Sequence, residues 1–268
     1  MAVSPNDEFR KLITPGSCVA CHSHLCQLLP ADRRDAAQGL LELNRGSRLE
    51  AVEGGGFPRL WNIVRGVAAI TTLLADGRRQ VIGLHYPGDT VWAPEPTGGT
   101  VAWLEALTDC WICQIDTTAA SQSTSSNVAL QARLYTTMQR QLEEQAARIV
   151  TLGRLDGYER ICLYLGELVS RIGRPMGREI LISLPMSRAD IGDYLGLNAE
   201  TVSRLLARIR KDGLLKFVSP TQMIIPDMAR LEKAVPIATL GQRQAARQKR
   251  AAPKGKARQS ARPDGWIQ

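Results

Sequence analysis

The 268-residue chain has no apolar run long enough to cross a bilayer. Charges interrupt every such stretch within about ten residues, where a spanning helix needs roughly 20. The segment MAVSPNDEFRKL lacks the apolar core of a signal peptide. A cytoplasmic location without membrane contact is therefore expected. Six cysteines are too few for a disulfide scaffold, and cytosolic thiols stay reduced, so clustered cysteines point to metal or redox chemistry. There are only three histidines, and two of them, His22 and His24, lie among cysteines. No Ser/His/Asp set, phosphate-binding glycine loop or paired-carboxylate motif stands out, so an enzyme is not expected. His85, in a strand beside a turn, reads as structural.

What the chain does have is excess positive charge, unevenly placed. The net charge is +8, from 34 Lys+Arg and 26 Asp+Glu. Residues 240–268 hold eight of the basic groups and one acid, Asp264, in a Gln/Ala/Lys/Arg-rich segment with too few large apolar residues to fold alone. A solvated tail with loose attraction to phosphates is the reading there. Upstream, residues 44–116 alternate β-rich stretches with turn signals, among them ADG at 75–77 and YPGD at 86–89. This pattern suggests a small antiparallel roll or barrel. Residues 128–152 contain neither proline nor glycine up to Leu152 and are rich in helix formers. Tyr135, Met138, Leu142, Gln145, Ile149 and Leu152 recur at alternating spacings of three and four, a heptad seam suited to a homodimer. Residues 156–173 form a second amphipathic helix with Cys162 on its apolar side, read as a buried structural thiol.

Residues 184–217 read LPMSRADIGDYLGLNAETVSRLLARIRKDGLLKF. Ser187 with Asp190 is an acidic capping box, Leu195–Leu197 a Gly-containing turn, Asn198 a second N-cap, and Gly213 a stop. Helix, short turn, helix is the helix-turn-helix pattern for double-stranded DNA, and two short strands over 214–226 would make it winged. Glu200, Ser203, Arg204 and Arg208 fall on the exposed face of the second helix. Arginine can bond guanine O6 and N7 together, and a carboxylate can accept from the cytosine amino group.

Cys18, Cys21 and Cys26 form C-x2-C-x4-C, and Cys110 and Cys113 form a second C-x2-C about 85 residues later. Thiolates so spaced suit zinc or an iron–sulfur cluster, and spacing alone does not separate the two. Zinc could take Cys18, Cys21, Cys26 and either a histidine or Cys113.

The stretch DIGDYLGLNAETVSRLLARIRKDGLL closely resembles the helix-turn-helix of the CRP/FNR superfamily of bacterial transcription regulators, nearest to its FNR branch. That branch carries E-x-x-S-R, met here by Glu200, Ser203 and Arg204. The CRP branch has a further arginine where this chain has Ala199, so the resemblance implies the palindrome TTGAT-N4-ATCAA. It covers most of residues 18–235 and implies an α+β fold. The N-terminal part is a cyclic-nucleotide-binding-like β-roll at 31–120, followed by a dimerisation helix at 121–153 and a winged helix-turn-helix at 154–235. A disordered N-terminus (1–16), a Cys-rich sensor segment (17–30) and a basic disordered tail (236–268) complete the division. The nucleotide site of the superfamily uses an arginine that VWAPEPTGGTVAWLEAL lacks, so no cyclic nucleotide is expected. FNR-type oxygen sensors hold a 4Fe–4S cluster with three N-terminal cysteines and one from the roll. ALTDCWICQI matches the roll context with Cys113 as ligand and Cys110 as the alternative, and Leu25 matches a cluster-shielding residue. The N-terminal spacing is one residue shorter than in the best-known member. The resemblance further implies that an intact cluster favours the dimer, that oxygen weakens it, and that the hairpin at Asp76–Gly77 touches RNA polymerase.

Overall fold

The computed structural model describes residues 37–50, 60–92, 101–115 and 128–236. Cys18, Cys21, Cys26, Leu25, the N-terminal segment, the stretch 93–100 and the basic tail lie outside the described residues.

Among the described residues eight short strands come first: β1 (Ala37–Leu43), β2 (Arg48–Glu50), β3 (Leu60–Arg65), β4 (Ala68–Leu73), β5 (Arg79–His85), β6 (Thr90–Trp92), β7 (Val101–Ala106) and β8 (Cys110–Ile115). They form two antiparallel four-stranded sheets, ordered β1-β8-β3-β6 and β2-β7-β4-β5, a double-sheet roll. Trp61, Ile63, Ala68, Ile70, Val91, Leu104, Ala106, Cys110 and Ile112 form the core between the sheets. The ADG signal is the β4–β5 hairpin, where Gly77 takes a φ of 85° and its N–H donates to Leu74 O. The YPGD signal is a turn closed by Asp89 N–H on Tyr86 O.

Strand β4 is buried on both faces. Ala68 and Ile70 point into the roll, and Ala69 belongs to a second cluster. That cluster also contains Val67, Val81, Leu84, Tyr86 and Leu107 of the roll, together with the apolar residues of the C-terminal helices. One sheet of the roll thus covers two cores, and the first four residues of β4 are accordingly buried without alternation.

Helix α1 (Val128–Arg154) runs 27 residues, about 40 Å. Arg140, Glu144, Arg148 and Thr151 share the face turned to the chain itself, whereas Tyr135, Met138, Leu142 and Ile149 face away with 52–74% exposure. Two residues expected in the seam sit at its flank. The Gln145 amide donates to Ile82 O at 3.3 Å, and half-buried Leu152 lies against the Gly196 turn.

Helix α2 (Gly157–Ile172) opens with a capping box, Asp156 with Glu159, and buries Ile161, Cys162, Tyr164, Leu165 and Leu168. Strands β9 (Arg174–Met176) and β10 (Glu179–Ser183), helices α3 (Arg188–Leu195) and α4 (Ala199–Lys211), strands β11 (Lys216–Phe217) and β12 (Gln222–Ile225), and helix α5 (Met228–Lys233) follow. The C-terminal sheet is ordered β11-β12-β10-β9, with β11–β12 as the wing. Among the described residues no helix is long and apolar enough to cross a membrane.

Candidate nucleic-acid interface

Local chemistry fixes both helices of the DNA-reading unit. Ser187 Oγ accepts from Asp190 N–H at 3.1 Å, and the Asp190 carboxylate accepts in return from Ser187 N–H at 2.9 Å. Helix α3 ends at Gly196, whose φ of 66° is a left-handed C-cap that a side chain would strain. Gly192 lets the turn pass close, since a Cβ there would stand 2.5 Å from Leu197 O. Asn198 Oδ1 then accepts from Thr201 N–H at 2.7 Å and starts α4. Val202, Leu206 and Ile209 are buried on one side of α4. Each such burial stabilises by roughly 1.5–3 kcal/mol. That anchors the helix and leaves its other side to solvent.

Glu200, Ser203, Arg204 and Arg208 all lie on this exposed side, as expected of a reading face. Arg204 stands 3.8 Å from Glu200 and donates to Thr201 Oγ1 at 3.3 Å, while Ser203 Oγ donates to Ala199 O at 2.9 Å. The arginine fork is free to leave these weak exposed contacts for a base edge. Arg208 is held differently. Its guanidinium lies 4.7 Å from the centre of the Tyr158 ring, whose hydroxyl donates to Asp212 at 2.8 Å. Burial and the bond to Asp212 push the Tyr158 phenol up, so it stays a neutral donor. Tyr158 was not legible in the sequence, because it stands 54 residues from Asp212 and no local motif links them. At the wing, the Arg188 and Arg210 guanidiniums flank Phe217 at 5.7 and 5.9 Å, keeping positive charge beside the reading helix.

The two roll cysteines are three residues apart on β8 and so project to opposite faces of the sheet. Cys110 is fully buried in the roll core. Its thiol faces Val67 O at 3.3 Å and Thr108 O at 3.2 Å, and it packs under Gly66, where a Cβ would come within 2.7 Å of its sulfur. Burial pushes this thiol up. Cys113 is 7% exposed, lies outside both apolar clusters and pairs across the sheet with Leu40 and Asn62. His85 is also buried, and burial holds its pKa down, keeping it neutral.

Residues 159–234 match the model of the Crp-like helix-turn-helix domain. Over 239 residues the chain is 31% identical to a probable transcriptional activator of Rhizobium leguminosarum bv. viciae, covering 85% of this chain and 97% of that one. It is 31% identical over 175 residues to the transcriptional activator protein FnrL of Cereibacter sphaeroides, covering 63% of this chain and 70% of FnrL. Its fold resembles the solved structure of FixK2 from Bradyrhizobium japonicum with a TM-score of 0.65 and 28% identity, over 75% of this chain and 98% of that one. With the winged helix-turn-helix, the long helix and the double-sheet roll in one chain, these likenesses settle its kinship. The chain belongs to the CRP/FNR family of DNA-binding transcription regulators, in the FNR branch.

Proposed function

We propose that this regulator senses oxygen through a 4Fe–4S cluster held by Cys18, Cys21, Cys26 and Cys113. The observation that carries the sensing part is the contrast between the two roll thiols. Cys110 already faces two carbonyls, and burial favours its protonated form, which is a poor metal ligand. Cys113 lies on the other face as a free, buried thiol outside both apolar clusters. Four thiolates suit a 4Fe–4S cluster, and the donor set therefore fits. When bound, such a cluster supplies an oxygen-reactive iron centre.

The chain's own residues supply the DNA response. The stripe Tyr135, Met138, Leu142 and Ile149 is an apolar face for a second copy of the chain. A homodimer sets two α4 helices on half-sites about one DNA turn apart. We assign Arg204 to guanine, Glu200 to the cytosine amino group, Ser203 to an adjoining base and Arg208 to phosphate, in a TTGAT-N4-ATCAA palindrome. Dimerisation converts the second half-site contact into an intramolecular one, so a shift of a few kcal/mol in dimer stability switches occupancy. The β4–β5 hairpin tip, where Leu73 and Leu74 are exposed beside the Asp76–Arg78 pair, is the surface offered to RNA polymerase.

Anaerobic purification tests the cofactor. The expected result is a brown protein with about four iron per chain, lost in Cys113→Ser and kept in Cys110→Ser. A colourless protein with one zinc per chain overturns it, and loss of iron in Cys110→Ser alone overturns the ligand assignment.

A further inference from the structure

The YPGD turn joins three parts of the molecule that the sequence keeps far apart. Asp89, its last residue, has a side chain only 3% exposed. One carboxylate oxygen accepts from Tyr86 N–H at 3.0 Å, which closes the turn, and from Arg171 of α2 at 3.2 Å. The other oxygen takes Arg140 of α1. Arg140 in turn holds Glu144 at 3.0 Å, and the Arg171 guanidinium lies 5.1 Å from the centre of the Tyr86 ring. A single buried carboxylate thus binds the dimerisation helix and the first helix of the DNA-binding unit at once.

The neighbouring contacts repeat the theme. The Tyr86 hydroxyl donates to one oxygen of Glu167 on α2, and the Tyr194 hydroxyl of α3 donates to the other, both at 3.0 Å. Arg148 of α1 lies 3.6 Å from the Tyr194 ring centre and donates to the carbonyls of Val81 and Tyr194. At the far end of β5, Arg79 reaches Asp190 at 2.6 Å, Asp193 at 2.9 Å and Glu105 at 2.9 Å. Strand β5 and its turn are therefore a seat, pinned at both ends, on which the helix-turn-helix sits. Burial would push the Asp89 carboxyl up, but Arg171 and then Arg140 outweigh it and hold it below the ordinary range, so it stays charged at neutral pH.

We propose that Asp89 is a positioning residue for DNA binding, fixing the orientation of the helix-turn-helix against the dimerisation helix by bridging Arg140 and Arg171. It touches no DNA. Its work shows only when two reading units must meet two half-sites together. Binding of one unit to one half-site depends on α3 and α4, whose caps and core do not involve Asp89. Binding of both units to a palindrome gains from linkage only while the joint holds them in register.

The inference rests on the dimeric reading above, and two measurements keep the two separable. The first compares anisotropy titrations of the full chain on a palindromic duplex and on a duplex with one half-site scrambled. Asp89→Asn keeps the acceptor for Tyr86 N–H and removes the charge; Arg171→Gln removes the partner. Both are expected to lower the palindrome-to-half-site affinity ratio by about tenfold or more, with half-site affinity unchanged. The second measurement is amide hydrogen exchange without DNA. Both variants should exchange faster in 79–89 and 167–172, with α4 unchanged. If exchange stays at the wild-type rate, or half-site and palindrome affinities fall together, Asp89 is not a positioning residue. If the wild-type chain itself shows no preference for the palindrome, the dimeric reading fails, and exchange still decides the joint.

Discussion

The reading helix and the joint beneath it are both made of arginines facing carboxylates, and they differ in their access to water. Glu200 and Arg204 are 79% and 69% exposed and stand 3.8 Å apart. Asp89 is 3% exposed and holds two arginines that are themselves about two-thirds or more covered. An exposed pair gains little from its partner and gives it up readily, which is what a base-reading side chain requires. A buried carboxylate without its arginines would be costly, so the joint is committed to one geometry. Mobility is useful where the ligand arrives, and rigidity where the ligand's position is set.

Removing the buried partner should give the largest effect on stability. Asp89→Ala leaves Arg140 and Arg171 without their shared carboxylate, and urea unfolding should show a loss of roughly 3 kcal/mol or more. The same residue gives a pH signature. Its folded pKa is depressed, so its contribution is present above the ordinary carboxylate value of about 4 and is lost as pH falls through the lower folded value. Glu167 has the opposite sign. Its carboxyl is pushed up by burial, so its contribution is lost as pH rises. Asp89→Asn retains Glu167, so the difference between wild type and variant isolates Asp89. The stability difference should shrink as pH drops below about 4, and a difference independent of pH would remove the charged bridge from the account.

On the exposed side the expected loss appears in recognition. Arg204→Ala should cost roughly 1–3 kcal/mol of affinity for the preferred site and relax the choice at one guanine. Equal loss on every sequence, measured by competition with single-base variants, would make Arg204 a phosphate contact. Tyr158 tests the intermediate case, a side chain placed to hold the proposed phosphate contact of Arg208 without itself making it. Tyr158→Leu removes the ring from under Arg208 and should lower affinity about twofold to fivefold on all sequences, since an exposed cation–π contact is worth about 0.5–1 kcal/mol. Tyr158→Phe keeps the ring and should behave as wild type; equal loss in both would shift the role to the bond with Asp212.

The two regions also differ in how far the sequence reveals them. The reading helix is set by signals within a few residues of one another: Ser187 with Asp190, Gly196, and Asn198 with Thr201. The hairpin at 75–77 and the turn at 86–89 are equally local. The joint is not. Arg140 and Arg171 lie 51 and 82 residues from Asp89, and Arg79 lies more than 100 residues from its partners on α3. No local motif links any of these arginines to its carboxylate. Gln145 and Leu152 followed the heptad arithmetic of α1, yet the roll and the Gly196 turn occupy that flank. Strands β9 and β10 are not legible in the sequence, because RPMGREILIS is short and broken by a proline and a glycine. Of the two roll thiols, the alternation of β8 separates a core thiol from one on the other face, but only once the strand register is known.

The smallest effect expected is also the sharpest test of the contrast. Arg204→Ala should change the unfolding free energy by no more than about 0.5 kcal/mol, because its partners are a solvated carboxylate and a hydroxyl on the same helix. At about 0.1 M salt the Debye length is only about 10 Å, so the residual attraction should fade further as salt is raised. A residue that costs the fold almost nothing while costing DNA affinity about fivefold or more is held for its ligand. Were Arg204→Ala instead to destabilise the folded chain as strongly as Asp89→Ala, the Glu200–Arg204 pair would be part of the scaffold, and the division between a mobile reading face and a rigid joint would have to be abandoned.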